Sequence, residues 1–409
     1  MCKSIKSYKT ILLSAAMLGA NGVYAQSSIS TGQLSGQDEI NTITTAVPFL
    51  MIAPDSRAGG LGDAGVATSP DANSIHWNPA KLAMIDKKMG LSISYTPWLR
   101  ALVPDINLAY LSGYYKVKKD QTFAGSLRYF SLGNITFTDI TGSVIRDYKP
   151  NEFAVDGAYA RKFSDRWSGG MAMRFIYSNL TGGVSVGGAE THAGKSFAVD
   201  IAGYYRNDDI KLGDKDGVFN AGLNLSNIGA KMSYSDRGAE KDFIPINMRL
   251  GTSVEMALDQ YNTISFVADI NKLLVPTPPI TELDTATGQH VIIAGKDPDR
   301  AVVSGIFGSF NDAPGGFKEE MREFTISTGL EYWYDKQFAV RAGYFYENPL
   351  KGNRQFFTVG LGLKYNVFGL DLAYLIPTQQ RNPLENTLRF TLLFDFDAFK
   401  SQGKDDSAK

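Results

Sequence analysis

From about Gly90 to Phe396 apolar and polar residues alternate in runs of about ten, the length and period of strands that cross a membrane as a β-barrel. Fourteen such runs are expected, at 89–98, 104–116, 121–131, 152–163, 166–178, 195–206, 217–227, 245–257, 260–272, 323–334, 337–347, 355–366, 368–376 and 386–396. In the last, Leu388, Phe390, Leu392, Phe394 and Phe396 share one face, while Thr387, Arg389, Thr391 and Asp395 share the other. In the run at 355–366, Phe357, Val359, Leu361, Leu363 and Tyr365 oppose Thr358, Gly360, Gly362 and Lys364. A period of two puts one face against lipid and the other toward a polar interior.

The connections set the orientation. Short ones fall at Lys118–Asp120, Ser164–Asp165, Leu258–Asp259, Asp335–Lys336 and around Val367, and long ones at 132–151, 179–194, 228–244, 273–322 and 377–385. Only the gap at 207–216 is longer than a turn requires. Outer-membrane barrels turn tightly in the periplasm and loop widely outside, so the first strand runs outward and both termini are expected in the periplasm. A soluble β-sandwich also has many short strands, but it does not predict long loops at one end only. Tyr114-Tyr115, Phe163, Tyr204-Tyr205, Tyr332-Trp333-Tyr334 and Tyr365 fall at one set of strand ends, and Trp98, Tyr177, Tyr344 and Tyr346 at the other. Two aromatic belts at headgroup depth are the pattern expected of a barrel in lipid.

In hydrocarbon an unpaired sheet edge is too costly, so the first and last strands must pair. Fourteen strands enclose a bore too wide for wall side chains to fill. A plug is required.

Composition adds the compartment. Lys3, Lys6 and Lys9, the apolar Thr10–Gly22 and the small-residue site Val23-Tyr24-Ala25 form a secretory signal over residues 1–25. The single cysteine, Cys2, lies inside it, so the mature chain has no thiol chemistry or disulfide. With 41 basic and 42 acidic residues there is no electrostatic case for nucleic acid. The domain plan is thus a signal at 1–25, a tail and lumen plug at 26–88, a barrel at 89–396 and a charged periplasmic tail at 397–409.

Residues 26–88 do not alternate. Their core is PDSRAGGLGDAGVATSPDANSIHWNPAKLAM, in which four glycines suit an irregular, tightly folded chain. This run resembles the N-terminal signature of the PorV family of the Bacteroidetes type IX secretion system. Asn78-Pro79-Ala80 and the strand count resemble the broader FadL-like barrels. The resemblance implies a non-enzymatic outer-membrane protein without cofactor. Such a protein binds secreted cargo by its C-terminal β-domain and carries it from the translocon to a surface attachment complex with a sortase. There the domain is removed and the cargo is linked to lipopolysaccharide.

The residues themselves offer few chemical sites. His76, His192 and His290 have no His or Cys partner at metal-ligand spacing, and His76-Trp77 reads as a packed plug element rather than a catalytic base. Asp55 and Arg57 are expected to anchor the plug through buried hydrogen-bonded pairs; the alternative is that they gate a pore by pairing with wall charges such as Arg174, Arg249, Arg341, Asp200 or Asp269. The plug candidates are therefore Asp55, Arg57, His76, Trp77, Asn78 and Pro79. The outsized gap 273–322 is the expected cargo contact: Val303, Ile306, Phe307 and Phe310 argue against disorder. A short helix at Phe317–Phe324 sets Phe317, Met321 and Phe324 on one side, to lie on the rim or on a partner. Two alternatives stay open: a FadL-type transporter of hydrophobic compounds, which needs an apolar pocket and a lateral opening, and a lipid A deacylase, which needs a serine beside a histidine.

Overall fold

The computed structural model describes residues 40–100, 103, 105–138, 141–183, 190–235, 241–284, 287–379 and 382–396. The expected signal at 1–25, the tail at 26–39 and the segment 397–409 lie outside them. Eighteen strands are found in the described residues. They are β1 (Met89–Pro97), β2 (Ile106–Lys118), β3 (Gln121–Leu132), β4 (Ile135–Thr138), β5 (Val144–Tyr148), β6 (Asn151–Lys162), β7 (Trp167–Asn179), β8 (Gly194–Leu212) and β9 (Lys215–Gly229), followed by β10 (Asn247–Ala257), β11 (Asn262–Leu273), β12 (Ile280–Leu283), β13 (His290–Ala294), β14 (Thr325–Tyr334), β15 (Phe338–Tyr346), β16 (Gln355–Tyr365), β17 (Phe368–Pro377) and β18 (Leu388–Asp395). Fourteen of them close an antiparallel barrel, and β1 meets β18 with Ile93 opposite Leu392. The remaining four form two hairpins, β4–β5 and β12–β13, within long connections.

Alternation is carried through as expected. On β16, Phe357, Val359, Leu361 and Leu363 are exposed on the outer wall, and Thr358, Gly360 and Gly362 are buried inside. The long gap at 207–216 is paired chain: β8 and β9 extend to a turn at Gly213, with a bulge between Asn207 and Ile210. A second bulge follows Val199, where Asn227 adopts φ 60° and its N–H donates to Asp200 at 2.7 Å. The aromatic belts are thinner than the sequence suggested. Adjacent tyrosines point to opposite faces, so Tyr115 is exposed while Tyr114 packs inside with Ile75, Leu82 and Ile85. Trp333 likewise turns inward, 5.4 Å beneath the Arg341 guanidinium.

Residues 41–88 run down the lumen, passing through short helices α1 (Ser56–Gly59) and α2 (Ser74–Trp77) and 3₁₀ turns at Pro48–Met51 and Pro79–Met84. Asn41 donates its backbone N–H to Leu350 in the 347–354 connection, at the rim of the long loops. Met89 begins β1 at the rim of the tight turns. The described chain therefore enters the lumen at the rim of the long loops; the N-terminus, expected in the periplasm, lies outside the described residues. The reason is geometric: a plug that hands its end to β1 traverses the lumen from the far side.

Plug and wall touch backbone to backbone. A Cβ on Gly343 would lie 2.1 Å from the Gly62 nitrogen and 2.2 Å from the Leu61 carbonyl carbon, whereas one on Gly157 meets nothing within 4 Å. Gly343→Val should therefore unseat the plug, lowering the unfolding temperature and opening ion conductance in a planar bilayer. Gly157→Val should leave both unchanged.

Candidate functional site

The plug is held by wall side chains that reach its backbone and its few charges. Asp55 caps α1, accepting from Ala58 N at 3.0 Å and from the Trp77 indole N–H at 2.6 Å. Burial, and then the neighbouring Asp71 charge, raises its carboxyl to about 6 despite those bonds. Asp55 thus organises the plug internally and, among the described residues, pairs with no wall charge of the opposite sign. Arg57 makes the wall contact instead. Its Nε and Nη2 bind Glu331 on β14 at 3.0 and 2.8 Å, and Nη1 binds Asp71 at 3.0 Å. Glu331 also accepts from Arg341 Nε at 2.9 Å, and Arg341 Nη1 reaches Asp371 at 2.6 Å. Four alternating buried charges thus run from plug to wall. Of the expected wall partners only Arg341 belongs to this chain.

Elsewhere the wall satisfies plug backbone. Asp269 accepts from Gly65 N and Val66 N at 2.7 and 2.9 Å; Thr391 and Thr358 accept from Ser56 N and Gly62 N, each at 2.9 Å. Asn78 folds back on Ala80 N at 3.0 Å and donates to Gly203 O at 3.0 Å, while Pro79 opens its 3₁₀ turn without needing a donor. Lys81 spends its ammonium on Gly65 O and the Thr68 hydroxyl, both at 2.8 Å, and burial lowers it to about 8. Arg174 and Asp200 form a separate wall cluster with Asp156.

His76 lies between two arginines. Arg128 Nη2 is 2.7 Å from Nδ1 and Arg249 Nη1 is 3.4 Å from Nε2, and Arg249 also stacks over Trp77 at 5.0 Å. Burial first, then these guanidinium charges, holds the imidazole well below its usual pKa. Its nitrogens face guanidinium groups rather than a serine hydroxyl. No group of three or more metal-ligating side chains occurs among the described residues.

Above the plug, the connection from β11 to β14 folds back as a cap containing helices α3 (Val302–Gly308) and α4 (Phe317–Arg322). Helix α4 is oriented oppositely to a helix resting on its apolar side. Glu320 and Glu323 are buried, while Phe317 and Met321 are 78% and 49% exposed. The acids are the anchors. Lys272 bonds Glu320 at 3.2 Å and Glu323; Lys351 bonds Glu319 at 2.5 Å and Glu323 at 3.0 Å. Glu320 also accepts from Asp312 N and Ala313 N at 2.6 and 2.8 Å. On α3, Val302 and Ile306 pack inward toward Phe243, whereas Val303 and Phe307 are exposed; beyond the helix Phe310 is exposed on one side and lies 5.7 Å from the Lys272 ammonium. The six candidate residues therefore divide: Ile306 belongs largely to the cap's own packing, and Val303, Phe307, Phe310, Phe317 and Met321 form its apolar exterior. Burying that exterior would contribute about 25 cal/mol per Å².

A sequence model of the type IX secretion system protein PorV matches residues 35–280, which span the plug and the barrel wall through β11. The chain belongs to the PorV family. It is accordingly an outer-membrane component of type IX secretion. No curated protein matches the sequence. Among solved structures it is similar to the Ralstonia pickettii toluene transporter TbuX (TM-score 0.46, 10% identity, 84% of this chain and 97% of that one). It is also similar to the Pseudomonas putida toluene transporter TodX (0.43, 12%, 87% and 98%) and to a Pseudomonas aeruginosa FadL homologue (0.41, 11%, 87% and 99%).

Glu331, Asp371 and the Lys272–Lys351–Glu320–Glu323 cluster are the site residues of this PorV-family barrel that sequence reading missed. For Glu331, Asp371 and Lys272 the visible signal is polarity on the inward face of a strand, as at Glu331, which pairs in register with Arg341; Lys351, Glu320 and Glu323 lie outside the strands and carry no such signal. Glu331→Ala leaves Arg57 and Arg341 short of a buried carboxylate and should cost on the order of 3–5 kcal/mol, read as earlier unfolding on a heat-modified gel. His76 predicts a pH effect. Below about pH 6.5 the unfolded chain binds a proton that the folded chain refuses, so this residue's contribution to stability falls as pH falls. Replacement by Gln should flatten the dependence of unfolding temperature on pH between about 4.5 and 6.5 relative to the native protein.

Proposed function

We propose that this barrel does not conduct but carries: its loops, facing the cell exterior, hold the C-terminal β-domain of a secreted protein and convey it from the translocon to the sortase-containing attachment complex. The reading includes no catalytic residue. The observation that supports it most is the inversion of the cap, which spends its charges on holding itself down and leaves Phe307 and Phe317 exposed at 76% and 78%. An apolar exterior on a stably anchored loop is the form of a binding surface. The tight ties of plug to wall agree with a lumen that stays filled while cargo is handled outside. Purified protein in nanodiscs should retain a secreted protein bearing its terminal domain and not the same protein without it. Equal retention of both would refute the reading.

One observation favours a second reading, transport of hydrophobic compounds. A cavity of about 430 Å³ lies beneath the cap, lined in part by Ile43, Pro48, Met51, Leu273 and the amides Asn247 and Asn271. Among the described residues no break in the barrel ladder accompanies it: the bulge at Asn227 is filled by Asp200 and Arg174. Met51→Trp should fill the cavity and abolish uptake of a hydrocarbon if the cavity transports, and leave retention of secreted protein intact in either case.

A further inference from the structure

The hairpin β12–β13 is a sheet of only two strands, so each strand presents one unpaired edge. Both of its faces are open, with Ile280, Leu283, Val291, Ile292 and Ile293 all exposed. An isolated two-stranded hairpin is marginal in water, and a free apolar edge recruits further strands. A second two-stranded hairpin, β4–β5, exposes Ile135, Val144 and Ile145, whereas the extended end of β8–β9 is blunted by Asp208, Asp209, Lys211, Asp214 and Lys215. The edge at β12–β13 carries one charge within its strands, Glu282.

Its base is nevertheless firm. The hairpin springs from Pro276-Thr277-Pro278-Pro279; the Thr277 hydroxyl donates to Glu323 at 2.7 Å, and Pro278 O accepts from the Asn41 amide at 3.1 Å. A flexible loop tip has no need of such anchoring, but a docking edge that must hold its register does.

We propose that β12–β13 is a strand-addition platform, whose edge is completed by one extended strand of the secreted protein's terminal β-domain. This rests on the cargo-carrying reading above and names where the contact is made. Main-chain hydrogen bonds along the edge accept many sequences, which a carrier of different proteins requires. Charge selects among them. Glu282 is exposed opposite Val291 and forms no ion pair among the described residues, so the added strand places a lysine or arginine near it between alternating apolar residues.

The test uses the full chain in nanodiscs and a fluorescent fusion of the terminal domain of a protein secreted by the same cell. The double variant Val291→Lys with Ile293→Lys should weaken binding about tenfold or more, Glu282→Lys should weaken it less, and Val291→Thr with Ile293→Val should bind as the native protein does. Ile292→Cys should cross-link to a cysteine placed in the terminal domain. Native-strength binding by the lysine pair, or cross-linking of Ile292→Cys only to a second copy of this chain, overturns the platform while leaving the carrier reading standing. If the native protein itself ignores the terminal domain, both fall.

Discussion

A sheet closed at fourteen strands surrounds more space than its own side chains fill, and the remaining structure answers that constraint. The filling is main chain, and buried main chain must be hydrogen-bonded. Hence the inward faces of the strands carry short acceptors and donors at plug height, among them Asp269, Thr358, Thr391 and Asn224. Hence also glycines stand where plug backbone meets wall backbone. The Arg57–Glu331–Arg341–Asp371 chain is the costliest part of this arrangement, because every charge in it is stable only while its neighbours remain.

The cap obeys the same accounting at the rim and reaches a different surface. Lys272 sits fully buried at the end of β11, and an ammonium there requires carboxylates. Helix α4 supplies them by turning Glu320 and Glu323 inward, which forces Phe317 and Met321 outward. The apolar exterior is therefore a consequence of how the charges are satisfied, held in place by buried ion pairs rather than by mobile contacts. A surface of that kind is preorganised for a partner, which lowers the entropy lost on binding.

The barrel was legible because period-two alternation and the short-long rhythm of connections are repeated many times, so single errors average out. The gap at 207–216 stood out as too long for a turn because polar Asn207, Asp208 and Asp209 break the alternation, although the strands stay paired through a bulge. Aromatic clusters misled because neighbours such as Tyr114 and Tyr115 face opposite sides of one wall. Within the plug, Arg57 was recognisable as an anchor, but its partner Glu331 lies 274 residues away and only strand register brings it near. The orientation of α4 was not legible at all. Its helical spacing marks an apolar side correctly, and only the position of Lys272 beneath it decides which side faces in.

As proposed, secreted protein meets the outer surface of the cap and does not enter the lumen. Site-specific photo-crosslinking in living cells tests this directly, with the reactive group placed at Phe317 on the cap exterior or at Met51 in the cavity below. The prediction is adducts to the terminal domains of secreted proteins from Phe317 and none from Met51. Protein adducts from Met51 with none from Phe317 would contradict it.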